Sequence, residues 1–326
     1  MPSISDTAVE MSQFVLPEYA GAPGQIHGGR MMEWITHAGT IAASRVARGT
    51  VALGATDDID FLHLVLVGGI AILRAQVEYV GRSSLEVGVR VYSEDPATGR
   101  RATTLSSHLV YVSVDEDGKP RPVKDKIVPA DPGEKALAVA AVARREERLG
   151  RFARKAEKLK EAAEEVEDFR WQFESSRIVR SNEVLFRDFM FSGKLLFDID
   201  EAGGILGIRY TRGFVMTACL DAMDFYSPVR ARELLTFKAG LNHVGTTSME
   251  IGVKVLAEVP WTGEVRHTCT AYLTFVHLGL DRKPRPVPAF TPDSPGEKRR
   301  WEAAMVRREA RLARVKRLKA SLLREE

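Results

Sequence analysis

Gln25-Ile26-His27-Gly28-Gly29-Arg30-Met31-Met32-Glu33-Trp34 is the stretch on which the fold turns. Met31, Ile35, Ala38 and Ala42 recur at helical spacing on one face, directly after a glycine pair. This predicts a buried helix with a tight N-terminus, whose unpaired N–H groups favour an anion. The element returns as Phe191-Ser192-Gly193-Lys194-Leu195-Leu196-Phe197-Asp198, with Leu195, Ile199, Ala202 and Leu206 as its apolar face.

Outward from these two helices the chain repeats itself in a single register. An offset of 164 residues relates Gly28 to Ser192, Asp57 to Asp221 and Phe61 to Phe225. It also relates Ser84-Leu85-Glu86 to Ser248-Met249-Glu250, and Lys119-Pro120-Arg121-Pro122-Val123 to Lys283-Pro284-Arg285-Pro286-Val287. Pro132-Gly133-Glu134-Lys135 then matches Pro295-Gly296-Glu297-Lys298 at 163. Two copies at so long a period are a duplicated domain and not a solenoid, whose repeats run to about 20–50 residues.

Composition agrees with two globular domains: 326 residues, 44% hydrophobic. A net charge of +3 suits an anionic small ligand without singling out nucleic acid. Cys219 and Cys269 sit in apolar, strand-like runs and lack the partners of a zinc site or disulfide framework, so reduced, cytoplasmic thiols are expected. No basic start with an apolar core opens the chain, and no run nears about 18 apolar residues, so neither export nor a membrane span is expected.

In chain order, residues 1–10 read as a loose tail and 11–16 as a strand. A loop rich in Ala, Gly and Pro leads into the helix, which runs to about Val46. Strand candidates follow at 51–64, 69–81, 84–94 and 101–115, with alternation clearest in Leu85-Val87-Val89-Val91. The second copy repeats the plan, with a strand near 177–180, a helix from Ser192, and strands at 215–225, 234–244, 247–259 and 264–278. Stretches rich in Ala, Glu, Lys and Arg follow each copy and read as helices; in the last, Trp301, Met305, Leu312, Val315 and Leu322 step at intervals suited to packing.

Taken together, the glycine helix start, Thr56-Asp57-Asp58-Ile59-Asp60-Phe61, Val80-Gly81-Arg82-Ser83-Ser84-Leu85-Glu86-Val87 and the closing Lys-Pro-Arg-Pro-Val resemble the hot-dog acyl-CoA thioesterases, above all the double hot-dog hydrolases. The resemblance implies an α+β fold in which each long helix is wrapped by a curved antiparallel sheet. The expected parts are hot-dog domain 1 at 11–125, a charged helical linker at 126–174, hot-dog domain 2 at 175–290 and a C-terminal helix at 291–326. It further implies self-association as a trimer of double hot dogs, a hexamer of domains.

The implied reaction is hydrolysis of acyl-CoA to free fatty acid and CoA, which needs a carboxylate to activate water and backbone N–H groups to meet the oxyanion. Asp57 and Asp221 are the candidate bases, and Gly28-Gly29 and Ser192-Gly193 the candidate donors. By the resemblance each base faces the other copy's helix, so Asp221 serves His27, Gly28 and Gly29, and Asp57 serves Ser192 and Gly193. Asp200 is a reserve carboxylate, since helix residues supply the base in other hot-dog thioesterases. Without the resemblance, Asp57 and Asp221 read first as turn caps or acceptors of nearby backbone N–H groups, and the glycines can serve close packing alone.

Family members carry an Asn seven residues before the helix start; here Gly21 and Leu185 stand there, leaving Gln25 and Asn182 as the nearby amides. His27 is a ligand contact or a structural residue, and Ser84 and Ser248 are phosphate donors or turn supports. The copies also differ inside the helix, where Ile199-Asp200-Glu201 faces Ile35-Thr36-His37. Neither a cofactor nor a metal is expected, because no phosphate loop and no Cys or His cluster is present. Arg144, Arg145, Arg148, Arg151, Arg154 and Lys155, and later Lys298, Arg299, Arg300, Arg307, Arg308, Arg311 and Arg314, read as solvated helix faces paired with Glu146, Glu147, Glu302 and Glu309, ahead of a surface for CoA phosphates or nucleic acid. The alternative function is a weakly catalytic acyl-CoA binding or sensing protein.

Overall fold

Two 20-residue helices, α1 (Gly28–Ala47) and α3 (Ser192–Thr211), pack on each other at the centre of the chain. A computed structural model describes residues 1–21, 23–161 and 169–322, with side chains to 152 in the second span and 320 in the third. The apolar faces read from the sequence are the buried faces: Met31, Ile35, Ala38 and Ala42 on α1, and Leu195, Ile199, Ala202 and Leu206 on α3. Arg48 and Arg212 close the helices in the left-handed conformation, returning their N–H groups to Ser44 and Ile208.

Around α1 run β1 (Val9–Phe14), β2 (Val51–Thr56), β4 (Ile70–Val80), β5 (Ser84–Glu94) and β6 (Arg101–Ser113). Around α3 run β7 (Gln172–Ile178), β8 (Phe214–Leu220), β10 (Leu234–Val244), β11 (Ser248–Val259) and β12 (Glu264–Leu278). Two short strands, β3 (Ile59–Asp60) and β9 (Met223–Asp224), cross over, giving sheets ordered β1-β4-β5-β6-β2-β9 and β7-β10-β11-β12-β8-β3. Each copy thus covers the edge its partner would otherwise expose. The expected strand at 51–64 is therefore split: β2 ends at Thr56, and Ile59–Asp60 pairs with Leu220 and Cys219 of the other copy.

The register repeats down to its irregularities. Bulges fall at Gly54 and Ala218, at Glu78 and Asn242, and at Thr104 and Thr268, every pair 164 residues apart. A bulge inserts one residue and reverses which face the next side chain meets.

Helices α2 (Pro132–Glu161) and α4 (Pro295–Leu322) lie on the outer sheet faces. Here the structure corrects the solvated-face reading. Arg144 bonds Glu86 and Glu78, Arg148 bonds Asp57 and Glu86, and Arg151 reaches Asp224 of the other copy at 2.9 Å. In α4, Arg307 bonds Glu250, Arg311 bonds Asp221, and Arg314 reaches back to Asp60 at 2.6 and 2.9 Å. These arginines point inward because the sheets bury carboxylates that need partners. The side chains of Arg154, Lys155 and Leu322 lie outside the described residues. Of the expected apolar stripe, Trp301, Met305 and Val315 are half-buried, but the ion pairs bury Arg311 and leave its neighbour Leu312 54% exposed.

The chain start is docked, not loose. Ile4 is fully buried, and the N–H groups of Ile4 and Ser5 donate to Glu134. Those bonds and one from Ala130 hold the Glu134 carboxyl down to about 2.

Candidate active site

The N-terminus of α1 abuts the second turn of α3. Gly29 N–H donates to Asp200 Oδ2 at 2.7 Å, and Thr217 of β8 donates through Oγ1 to Asp200 Oδ1 at 2.6 Å. His27 Nδ1 stands 3.4 Å from Asp200 Oδ2. The first copy thus brings His27, Gly28 and Gly29, and the second brings Asp200 and Thr217.

Asp200 is 1% exposed. Burial pushes its carboxyl pKa up, against the opposing pull of His27, Thr217 and the Gly29 N–H. The glycine pair is what lets the elements meet. A Cβ on Gly28 would lie 2.5 Å from Thr217 Oγ1, and one on Gly29 would lie 2.9 Å from Phe197 Cα. Gly21 also faces this site, since a Cβ there would rest 3.6 Å from the His27 ring, in ordinary contact.

The two carboxylates ranked first from sequence are elsewhere. Asp221 accepts from Arg311 at 2.8 Å and Asp57 from Arg148 at 2.8 Å, both beneath the outer helices. Thr217 faces α3 whereas Cys219, two residues on, contacts Arg314 of α4. The bulge at Ala218 causes that reversal and carries Asp221 to the outer face; the bulge at Gly54 places Asp57 likewise. The structure therefore brings Asp200, not Asp221, to His27, Gly28 and Gly29. Thr217 was missed altogether, although its mismatch with Leu53 at the 164-residue offset was available as a signal.

At the opposite end Ser192 and Gly193 open α3 against α1. A Cβ on Gly193 would lie 3.1 Å from Glu33 Cα, and Glu33 itself binds Arg30 and, at 2.7 Å, Lys194. The positions matching Asp200 and Thr217 hold Thr36 and Leu53. Thr36 bonds the Met32 carbonyl of its own helix at 2.8 Å. No carboxylate from α1 or β2 takes the place that Asp200 has at the first end.

The remaining candidates are not gathered at either helix start. Asn182 is exposed in the turn Ser181–Glu183, and Gln25 is buried in the loop before His27. Ser84 and Ser248 begin β5 and β11, their carbonyls accepting from Gly81 and Gly245 in the hairpin turns. Glu78, Glu86 and His108 place three donor atoms within 4.8 Å of one another, but Arg144 and Arg148 already bond both carboxylates where a cation would sit.

Residues 23–100 and 189–260 match the model of the thioesterase superfamily. Over 136 residues the chain is 38% identical to protein VdlD of Helicobacter pylori, spanning 42% of this chain and 78% of that protein. The chain belongs to the thioesterase superfamily. Within that superfamily it is also 27% identical over 322 residues to the cytosolic acyl coenzyme A thioester hydrolase of Mus musculus, covering 90% of this chain and 80% of that one. A solved acyl-ACP thioesterase from Bacteroides thetaiotaomicron superposes with a TM-score of 0.52 at 12% identity, over 84% of this chain and 99% of that one, a likeness of fold. As a superfamily member built of tandem hot-dog domains, the chain has two helix starts of the kind described: at the Gly28 end a buried carboxylate accepts from a helix-start N–H, whereas the buried Glu33 at the Ser192 end is paired with Arg30 and Lys194.

Proposed function

We propose that the protein hydrolyses acyl-CoA thioesters at one composite site, the Gly28 end. The observation carrying this reading is Asp200, buried and held by Thr217 and Gly29 against the positive end of α1. Asp200 takes a proton from water as the water oxygen attacks the thioester carbon. The N–H groups opening α1, shared between Asp200 and substrate, stabilise the oxyanion. The C–S bond then breaks, and the departing CoA thiolate takes the proton from Asp200, leaving free acid. A raised carboxyl pKa makes Asp200 a better base near neutrality than an exposed aspartate. No step calls for a cofactor or metal.

The names of the relatives support acyl-CoA as substrate class. They and the two free, buried cysteines favour a cytoplasmic setting; no helix among the described residues is long and apolar enough to cross a membrane. Exposed Val139, Leu149 and Phe152 on α2 offer a surface for self-association, for which a trimer of double hot dogs is the assembly we propose.

Release of CoA thiol from short to long acyl-CoAs tests the reading. Turnover is expected with the native chain and not with Asp200→Asn. Tight binding without thiol release would instead favour the binding or sensing protein, the reading supported by the missing amide at Gly21.

A further inference from the structure

The Ser192 end has Thr36 and Leu53 in place of Asp200 and Thr217, but it is not filled. A cavity of about 180 Å³ opens there, beside Ser192 and lined by Leu53, Leu185, Phe186, Met190, Leu195 and Phe225. Shifted by 164 residues, that lining falls on the catalytic end: Leu53 corresponds to Thr217, Leu185 to Gly21, and Ser192 to Gly28. Of the pair that meets at the Gly28 end, Thr217 is replaced by the apolar Leu53 and Asp200 by Thr36, while a cavity and the positive end of a helix are present at the Ser192 end.

We infer that the Ser192 cavity binds an aliphatic acyl chain without hydrolysing it, its carboxyl or thioester head at the start of α3. The inference rests on the Gly28 end being the acyl-CoA hydrolase site. Its support is separate: a cavity beside Ser192, Leu53 and Leu185 in its lining where the other end has Thr217 and Gly21, and Thr36 in the place of Asp200. An apolar wall excludes the water that hydrolysis needs and favours a chain that has none to offer.

The experiment is calorimetric titration of the full chain with S-dodecyl-CoA, a thioether that cannot be hydrolysed. Thiol release from dodecanoyl-CoA is measured in parallel. Two equivalents are expected on the native chain. Leu185→Glu puts a charge at the rim, where Leu185 is 39% exposed and the fold tolerates change. It should weaken one equivalent about tenfold or more and leave thiol release within about twofold. Leu53→Trp, which fills the cavity, should remove the same equivalent. Titration with dodecanoate distinguishes the sources: if it occupies the equivalent sensitive to Leu185 the chain can arrive as free acid, and if only the thioether does, it arrives as acyl-CoA. One equivalent on an actively hydrolysing native chain overturns the inference, as do two equivalents indifferent to both substitutions. Absence of thiol release with the Leu185-sensitive equivalent intact counts against the hydrolase reading alone.

Discussion

The two helix starts are copies of one design fitted with different residues. At the Gly28 end, α3 and β8 offer Asp200 and Thr217; at the Ser192 end, α1 and β2 offer Thr36 and Leu53. Burying a carboxylate is costly, and Asp200 is tolerated only because a hydroxyl, a backbone N–H and a nearby imidazole attend it. The Ser192 end has Thr36 in that place and pairs its own buried carboxylate, Glu33, with Arg30 and Lys194. Leu53, 5% exposed, contributes the ordinary gain of about 2 kcal/mol for a buried leucine. Duplication within one chain permits this division because each site draws its helix start from one copy and its opposing residues from the other.

The comparison predicts its own failures. The largest effect belongs to Asp200→Asn, expected to lower kcat by about 10²–10⁴-fold, the range for loss of a general base. Thr36→Val, at the matching position, should change kcat by less than about twofold. Next is Gly28→Ala, whose Cβ would collide with Thr217 Oγ1 and disturb Asp200, for a loss of about 10–100-fold; Ser192→Ala should be neutral. Steady-state thiol release measures all four.

A third difference lies in pH. Since burial raises the Asp200 carboxyl pKa, the rising limb of the pH–rate profile should fall above the ordinary aspartate range, near 4. The same shift sets a stability trend. A group that binds its proton more tightly when folded opposes folding as pH rises from its unfolded to its folded pKa. Asp200→Asn should therefore unfold at a higher temperature than the native chain at pH 8, with the gap closing below about pH 4. The smallest effect is Gly21→Asn, which sets an amide against His27. One added hydrogen bond of about 1 kcal/mol should raise kcat/KM roughly fivefold, whereas Leu185→Asn at the other end should leave it unchanged.

Much of the architecture was legible in the sequence because helical spacing and a constant offset are local properties. Met31, Ile35, Ala38 and Ala42 announce their face, and the turns at Gly81 and Gly245 recur on schedule. The exchange of Ile59–Asp60 and Met223–Asp224 between sheets was not legible, since two residues carry no pattern of their own. The site was half legible: Gly28, Gly29 and His27 stand where expected, and Asp200 was held in reserve. Asp57 and Asp221 were placed at the helix starts by the resemblance alone, and the bulges at Gly54 and Ala218 turn them to the outer face instead. The arginines of α2 and α4 misled for a related reason. Nearby glutamates suggest pairing along the helix, but Asp57, Asp60, Asp221 and Asp224, distant in sequence, are their partners.

The most direct test sets Asp200 against Asp221. Thiol release and thermal unfolding are measured side by side for Asp200→Asn and Asp221→Asn. The structure predicts a crossed result: Asp200→Asn keeps its fold and loses turnover, while Asp221→Asn keeps turnover and loses about 1–3 kcal/mol of stability, because the buried Arg311 is left with Glu250 at 3.6 Å as its remaining carboxylate. Full turnover by Asp200→Asn, together with a well-folded but inactive Asp221→Asn, would contradict the account and return catalysis to the carboxylates beneath the outer helices.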